Sequence, residues 1–436
     1  MRLTCLLVML ILAVGMYACK EKTVEPATDT QTNDWILSNM KYWYYWNDKI
    51  PANPDRNLDP AAFFSSLLNK YDKTTNPNGD RFSWIQESAD ELESSLNGKI
   101  ETTGMDYKLV YYPTGTTNVI GIALYVQPHS PAAKAGFKRG NIFTHVNDQK
   151  LTASNYNQLL RAEGTLTFTM ATINDAGVVT ESTEKKQAAR ISLQEDPIHF
   201  DTLFQIGANK IGYIVYHQFV PGPDSIDGSK AYDQKLDGIF AKFKSANTNS
   251  LILDLRYNGG GYVSSATNLA SLIGKISAND IFYYKEYNQT VTPTLKKQYG
   301  DSFFFEKFQT KSQNIGANLN NLIILTSKSS ASASELLING LKPFMNVVLI
   351  GDVTYGKNVG SITLTGKDKG IKWGMQPIVT KSFNSLKQSD YSVGFTPDEH
   401  VTEGIRLFPY GNINDPLLNK ALSRITGSPL TTHCNR

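Results

Sequence analysis

Cysteine is scarce in this chain: among 436 residues there are only Cys5, Cys19 and Cys434. A disulfide framework is therefore not expected. The six histidines, among them His129, His145, His199, His217 and His400, show no His-x-x-x-His spacing, and no Cys-x-x-Cys pair accompanies them. That pattern argues against a zinc site, and no metal or other cofactor is expected. The net charge of +3 is spread without basic blocks, which gives no nucleic-acid signal. No internal repeat or heptad run is visible. There is no Gly-x-Gly-x-x-Gly or Walker lysine to cradle phosphate, and no Gly-x-Ser-x-Gly elbow.

What remains is ample apolar material, 41% of the residues, enough for two or three domains with a sizeable core. At the N-terminus, Arg2 precedes the apolar run from Leu6 to Val14, which is too short to span a bilayer and reads as a signal peptide. Residues 20–33 are polar and read as a tether. The cluster Tyr42-Trp43-Tyr44-Tyr45-Trp46 has mixed helical periodicity, so residues 34–98 read as a small, mostly helical domain whose aromatic stripe serves as core. The polar stretch from residue 290 to 320 reads as an insertion.

The segment Ser330-Ala-Ser-Ala-Ser-Glu335 follows a strand-length apolar run, Asn321-Leu-Ile-Ile-Leu-Thr326. After it, Leu336, Leu337, Gly340, Leu341 and Phe344 recur at helical spacing. Ser332 therefore falls at a strand-to-helix junction, where the first helical amides lack intrahelical partners and favour an oxyanion. A serine becomes nucleophilic only with a base, and a lysine serves only when burial or positive neighbours keep it neutral. Lys357, just past the apolar run Val347-Val-Leu-Ile350, is the candidate base. The plainer alternative is that Ser332 and Glu335 form a capping box and Lys357 is a solvated surface lysine. A serine–histidine arrangement using His217 or His199 is a further alternative. The glycines ending the strand Leu251-Ile-Leu-Asp-Leu255 let backbone amides approach a ligand closely. One of Gly260 and Gly261, with the amide of Ala333, would make an oxyanion hole; a simple glycine turn is the alternative.

Together, Ser330-Ala-Ser-Ala-Ser-Glu335 and Thr354-Tyr-Gly-Lys357 resemble the signature of the C-terminal processing peptidases, peptidase family S41. Asp254-Leu-Arg-Tyr-Asn-Gly-Gly-Gly261 is similar to the family's Asp-Leu-Arg-x-Asn-Pro-Gly-Gly, with Gly259 in the proline's place. Lys210-Ile-Gly-Tyr-Ile-Val215 and Gly394-Phe-Thr-Pro-Asp398 also match, and the resemblance runs roughly from Tyr107 to Val401. It implies a Ser332 nucleophile, a Lys357 base and a ClpP/crotonase-like α/β protease core over residues 190–425. Many bacterial members carry a glutamine four residues after the lysine, where this chain has Ser361; that residue either substitutes for it or leaves the role empty.

Ser130-Pro-Ala-Ala-Lys-Ala-Gly-Phe-Lys-Arg-Gly140, between apolar strand-like runs, resembles a PDZ domain, expected over residues 104–188. Such domains add a peptide as an extra strand and hold its C-terminal carboxylate. Ile120, Gly121, Ile122, Ala123, Leu124 and Tyr125 are expected to offer that edge, unless the domain is only a spacer or gate. Cys19 resembles a bacterial lipoprotein acylation site, so residues 1–19 would be a lipoprotein-type signal. The implied location is the bacterial cell envelope, lipid-anchored and facing the periplasm or the exterior. Three functions compete. They are a serine endopeptidase acting on exported proteins or peptides near their C-termini through an acyl-enzyme, a non-catalytic peptide-binding scaffold, and a crotonase-like acyl-transfer enzyme.

Overall fold

The computed structural model describes residues 25–223, 228–277 and 279–430; the expected signal segment with Cys5 and Cys19, and Cys434, lie outside them. Three units follow one another along the chain.

In the first unit, Thr28 accepts from the Gln31 amide and caps the helix Asp29–Trp43. Ala27 donates to the Gly370 carbonyl at 3.0 Å. The expected tether is therefore shorter than residues 20–33, because a capping box starts the helix five residues before residue 34. Trp35, Ile36, Met40, Tyr44, Phe63 and Phe64 close a core around this helix together with Ile371 and Met375 of the third unit. The unit is not purely helical: Trp84–Gln86 pairs antiparallel with Ile371–Gln376.

The second unit is an antiparallel sheet in the order Met105–Tyr111, Val119–Val126, Ile142–Val146, Thr165–Ile173 and Val179–Ala189. Two short helices, Pro131–Lys134 and Tyr156–Leu160, accompany it. Its core gathers Phe137, Phe143, Phe168, Leu159 and Leu160.

The third unit is built on a six-stranded sheet. An antiparallel hairpin, Ile198–Ile206 with Asn209–Tyr216, leads into parallel neighbours Ser250–Asp254, Asn321–Thr326, Val347–Gly351 and Glu399–His400. The strands are continuously apolar because both faces are covered. Leu251, Leu253, Leu322, Ile324 and Leu349 meet the helices Ala231–Ser245, Val263–Ile273 and Ala333–Leu341. Ile252, Ile323, Leu325 and Ile350 turn to the opposite face and meet Pro416–Thr426. A second sheet runs Phe305–Lys307, Ile281–Tyr287, Ile378–Phe383 and Val359–Ser361. The polar stretch near residue 300 thus supplies its edge strand.

One buried ionic network joins the second and third units. Arg256, 1% exposed, makes paired hydrogen bonds to Asp254 (2.9 and 2.7 Å) and to Asp415 (2.8 and 3.1 Å). It also reaches Glu403 at 2.9 Å. Glu403 in turn accepts from Arg139 at 2.6 Å and from the Tyr257 hydroxyl, with Lys108 at 3.4 Å. Burial alone would raise the Glu403 carboxyl, but Arg256 and Arg139 hold it at about 2, down from 4.5. Removing one partner of such a cluster strands buried charge. Glu403→Ala is expected to cost roughly 3–5 kcal/mol, read as a lower unfolding midpoint. Because the folded-state value is depressed, this contribution is complete above 4.5 and fades as pH falls toward about 2. In an acid titration of the midpoints, the gap between wild type and the isosteric Glu403→Gln should narrow through that window.

Candidate active site

Three serines compete in Ser330-Ala-Ser-Ala-Ser334, and hydrogen bonding separates them. The Ser330 hydroxyl donates to the Leu255 carbonyl at 2.8 Å, and Ser334 donates to the Asn258 carbonyl at 3.0 Å. Both are fully buried. They bolt the serine loop to the loop Leu255-Arg-Tyr-Asn258, as does the Ala331 amide on the Asn258 carbonyl at 3.1 Å. Ser332 stands between them at the start of Ala333–Leu341, part-exposed, with φ 56° and ψ −110°. That left-handed region costs a non-glycine residue about 1–3 kcal/mol, a strain that surrounding structure must hold in place.

Glu335 is the holding element. Its carboxylate, wholly buried, accepts the Ser332 amide at 3.0 Å and the Lys357 amide at 2.8 Å. It also accepts the Gly356 amide and the Thr354 hydroxyl, both at 2.6 Å. The capping-box pattern is present, yet most of this carboxylate's bonds go to a different segment of the chain. Burial raises the Glu335 carboxyl above its ordinary value, and these four donors oppose the rise. The Tyr355 amide adds a bond to the Ser330 carbonyl at 2.9 Å.

The lysine loop is held from its other side by the first unit. Arg81 donates through Nη2 to the carbonyls of Tyr355, Gly356 and Ser392 at 2.9–3.0 Å. The Lys357 ammonium lies 5.6 Å from the centre of the Phe82 ring. Burial lowers the Lys357 pKa below 10.5, while Asp80 and Glu335 pull it back up. A lysine so desolvated reaches the neutral form at a lower pH than a surface lysine.

Gly260 packs directly on Ser332: a Cβ there would sit 2.7 Å from the Ser332 Cβ, so only glycine fits. Its amide is already donated to Asn258 Oδ1 at 2.8 Å, which takes Gly260 out of the expected pair of oxyanion donors. The amides of Gly261 and Ala333 have no acceptor among the described residues, and they remain available.

Ser332, Lys357, Ser361, Gly260 and Gly261 line one cavity of about 500 Å³. A larger cavity, about 1370 Å³ and lined by Tyr45, Trp46, Tyr284 and Phe304, contains none of them. No hydrogen bond joins the Ser332 hydroxyl to Lys357 among the described residues. Gln376, Gln127 and Glu195 also line the smaller cavity and were not singled out by sequence, and Tyr125, expected on a peptide edge, forms part of its wall. Gln376 is 4% exposed and donates to the Thr363 hydroxyl at 2.5 Å. Its amide oxygen has no donor among the described residues. An amide from a strand remote in sequence thus enters the cavity that Lys357 lines, where Ser361 offers only a hydroxyl. His217 also lines the cavity, but its ring lies 3.9 Å from that of Tyr125 and its Nε2 meets the Tyr410 hydroxyl at 3.1 Å. Burial first, and then His199, push its pKa well below 6.5. His199 stacks on it at 5.1 Å.

The expected peptide edge is corrected. Residues 120–125 lie inside the sheet, because Val119–Val126 pairs with Met105–Tyr111 on one side and Ile142–Val146 on the other. Farther along, Leu124 gives its carbonyl to Arg139 at 2.8 Å. Ile120, Gly121, Ile122, Ala123, Leu124 and Tyr125 therefore offer no open edge. Met105–Tyr111 pairs with one strand only and is the terminal strand of the sheet.

The chain matches the model of peptidase family S41 over residues 210–401, that of the peptidase S41 N-terminal domain over residues 31–84, and a PDZ domain over residues 122–170. It belongs to peptidase family S41. A crystal structure assigned as an S41 protease from Bacteroides fragilis is 27% identical with a TM-score of 0.74, covering 90% of this chain and 97% of that one. A CtpA-like serine protease of Staphylococcus saprophyticus is 23% identical over 291 residues, 66% of this chain and 49% of the relative. A chloroplastic carboxyl-terminal-processing peptidase 3 of Arabidopsis thaliana is 24% identical over 73% of this chain and 62% of its own length. The chain thus spans about half the length of the staphylococcal relatives that it matches.

With a neutral Lys357 as base, turnover should rise with pH and level off at a value below 10.5, since burial favours the uncharged amine. Lys357→Arg should be inactive, because guanidinium does not deprotonate in proteins. A kcat/KM profile of the two proteins checks both statements, and near-normal turnover by the arginine variant would remove the lysine from the role.

Proposed function

We propose that this protein is a serine endopeptidase that cleaves exported proteins or peptides near their C-termini. The observation that carries the reading is the placement of Ser332. It is the one serine of its run whose hydroxyl is not spent on a neighbouring carbonyl, it is held at a strained helix start, and it shares a cavity with a desolvated lysine.

The chemistry follows from these groups. Lys357 Nζ takes the Ser332 hydroxyl proton as Oγ attacks the scissile carbonyl carbon. The Gly261 and Ala333 amides receive the charge developing on the carbonyl oxygen. Collapse breaks the C–N bond, and the leaving amine takes the proton back from Lys357. Water, deprotonated by the same lysine, then releases the acyl group from Ser332. Gln376 supports Lys357 with its free amide oxygen in place of the glutamine that Ser361 lacks. Substrates are captured by their C-termini on the Met105–Tyr111 edge, whose main-chain groups accept an added strand. A non-catalytic scaffold would not need the unspent serine or the desolvated lysine.

Incubation of the mature chain with a serine-directed phosphonate is expected to modify Ser332 alone. Ser332→Ala should lower kcat/KM on unfolded protein by about 10,000-fold or more while leaving the fold intact. Equal turnover by the two proteins would sink the reading. Amidating the substrate's C-terminus in the same assay reads the capture step.

The reading also includes a lipid anchor at Cys19 in a bacterial cell envelope. Metabolic labelling with a fatty-acid analogue should mark the wild-type chain and not Cys19→Ala. Label retained by the variant would rule the anchor out.

A further inference from the structure

Glu195 lies in the link between the second and third units, and the chain around it is fixed. Its amide donates to the Gly98 carbonyl at 3.1 Å. Gln194 before it donates to the Asn97 carbonyl at 2.8 Å. Asp196 after it exchanges hydrogen bonds with Gln127 at 3.3 and 3.4 Å, and Pro197 follows. The two adjacent acids then differ. The Asp196 carboxylate is satisfied by Lys235 and by the Ile198 amide. That of Glu195 has no hydrogen bond and no ion pair among the described residues.

Glu195 nonetheless lines the cavity that holds Ser332. Burial, and then the Asp106 carboxylate, push its carboxyl up to about 7, as expected of an acid without a cation. Leu96, Pro197, Tyr262 and Val263 line the same cavity. Among the lining residues the one cation is Lys357, whose own charged neighbours are Asp80 and Glu335 and not Glu195. A half-buried carboxylate without a cation, facing a cavity, costs free energy that a cation of the right reach would recover.

We infer that Glu195 is a specificity-determining residue, selecting substrates that carry a lysine or arginine side chain close to the cleaved bond. Such a side chain suits the wall as well as the acid, because its methylene stem packs on Leu96, Pro197 and Val263 while its head meets the carboxylate. The inference rests on the peptidase reading for its setting, and its test is chosen to be independent of hydrolysis.

Binding is measured in the Ser332→Ala background with acetylated, amidated peptides in which one lysine is walked along a neutral sequence. Norleucine at the same positions is the control. Amidation removes the terminal carboxylate, so capture by the sheet edge does not contribute. At one position, lysine should bind about tenfold or more tighter than norleucine, the worth of one charge-assisted hydrogen bond. Adding Glu195→Gln should bring the two within about twofold, and Glu195→Lys should favour glutamate there instead. Equal binding of lysine and norleucine at every position would overturn the assignment, as would a lysine preference that survives Glu195→Gln. Hydrolysis that persists in the Ser332→Ala background together with this preference would count against the catalytic reading alone.

Discussion

The carboxylate of Glu335 is the constraint on which the rest of the site depends. A buried charge is tolerated only when its lone pairs are met, and here four donors meet them, three of them amides fixed by the backbone. The three amides can only donate, and they favour the carboxylate as an anion. The same bonds fix the distance between two segments that are otherwise independent, the helix start at Ser332 and the turn at Lys357. The proposed nucleophile and base would be useful only when held together with sub-ångström tolerance, and a shared acceptor between the backbones of the two segments holds them without occupying either side chain.

A second cluster performs a comparable task at longer range. Arg256 stands in the segment that leads to Gly260 and Gly261, and its neighbour Tyr257 bonds to Glu403. Glu403 also holds Arg139 and Lys108, the latter from the terminal strand Met105–Tyr111. The glycine loop beside Ser332 is thus tied, through one carboxylate, to the terminal strand of the second unit's sheet.

What the sequence made legible was local. The core strands were readable because their apolar runs end in loops carrying chemistry, as in Leu251 to Leu255 before the glycines and Asn321 to Thr326 before Ser332. The choice of Ser332 among its neighbours and the lysine loop were readable through the family pattern. The peptide edge was misread for a physical reason: Val119–Val126 is apolar at nearly every position, and an unbroken apolar strand belongs inside a sheet, whereas the terminal strand Met105–Tyr111 alternates less clearly and carries Asp106 and Lys108. Gly260 failed as a donor because the Asn258 side chain takes its amide, which composition cannot reveal. Gln376, Arg81 and Glu195 reach the site from distant strands and loops, and no spacing in the chain announces such meetings. The helix starting at Asp29 was missed because Thr28 and Gln31 form a cap within a stretch that is polar throughout.

The most direct test of the account is hydrogen exchange at the amides of Ser332, Gly356 and Lys357 in wild type and in Glu335→Gln. The glutamine keeps the shape but turns an amide group toward donors, so at least one of the converging bonds must be lost. If the carboxylate is what unites the two loops, all three amides should exchange faster in the variant, while the Leu253 and Ile324 amides of the central sheet keep their protection. Unchanged protection at Gly356 and Lys357 would contradict it.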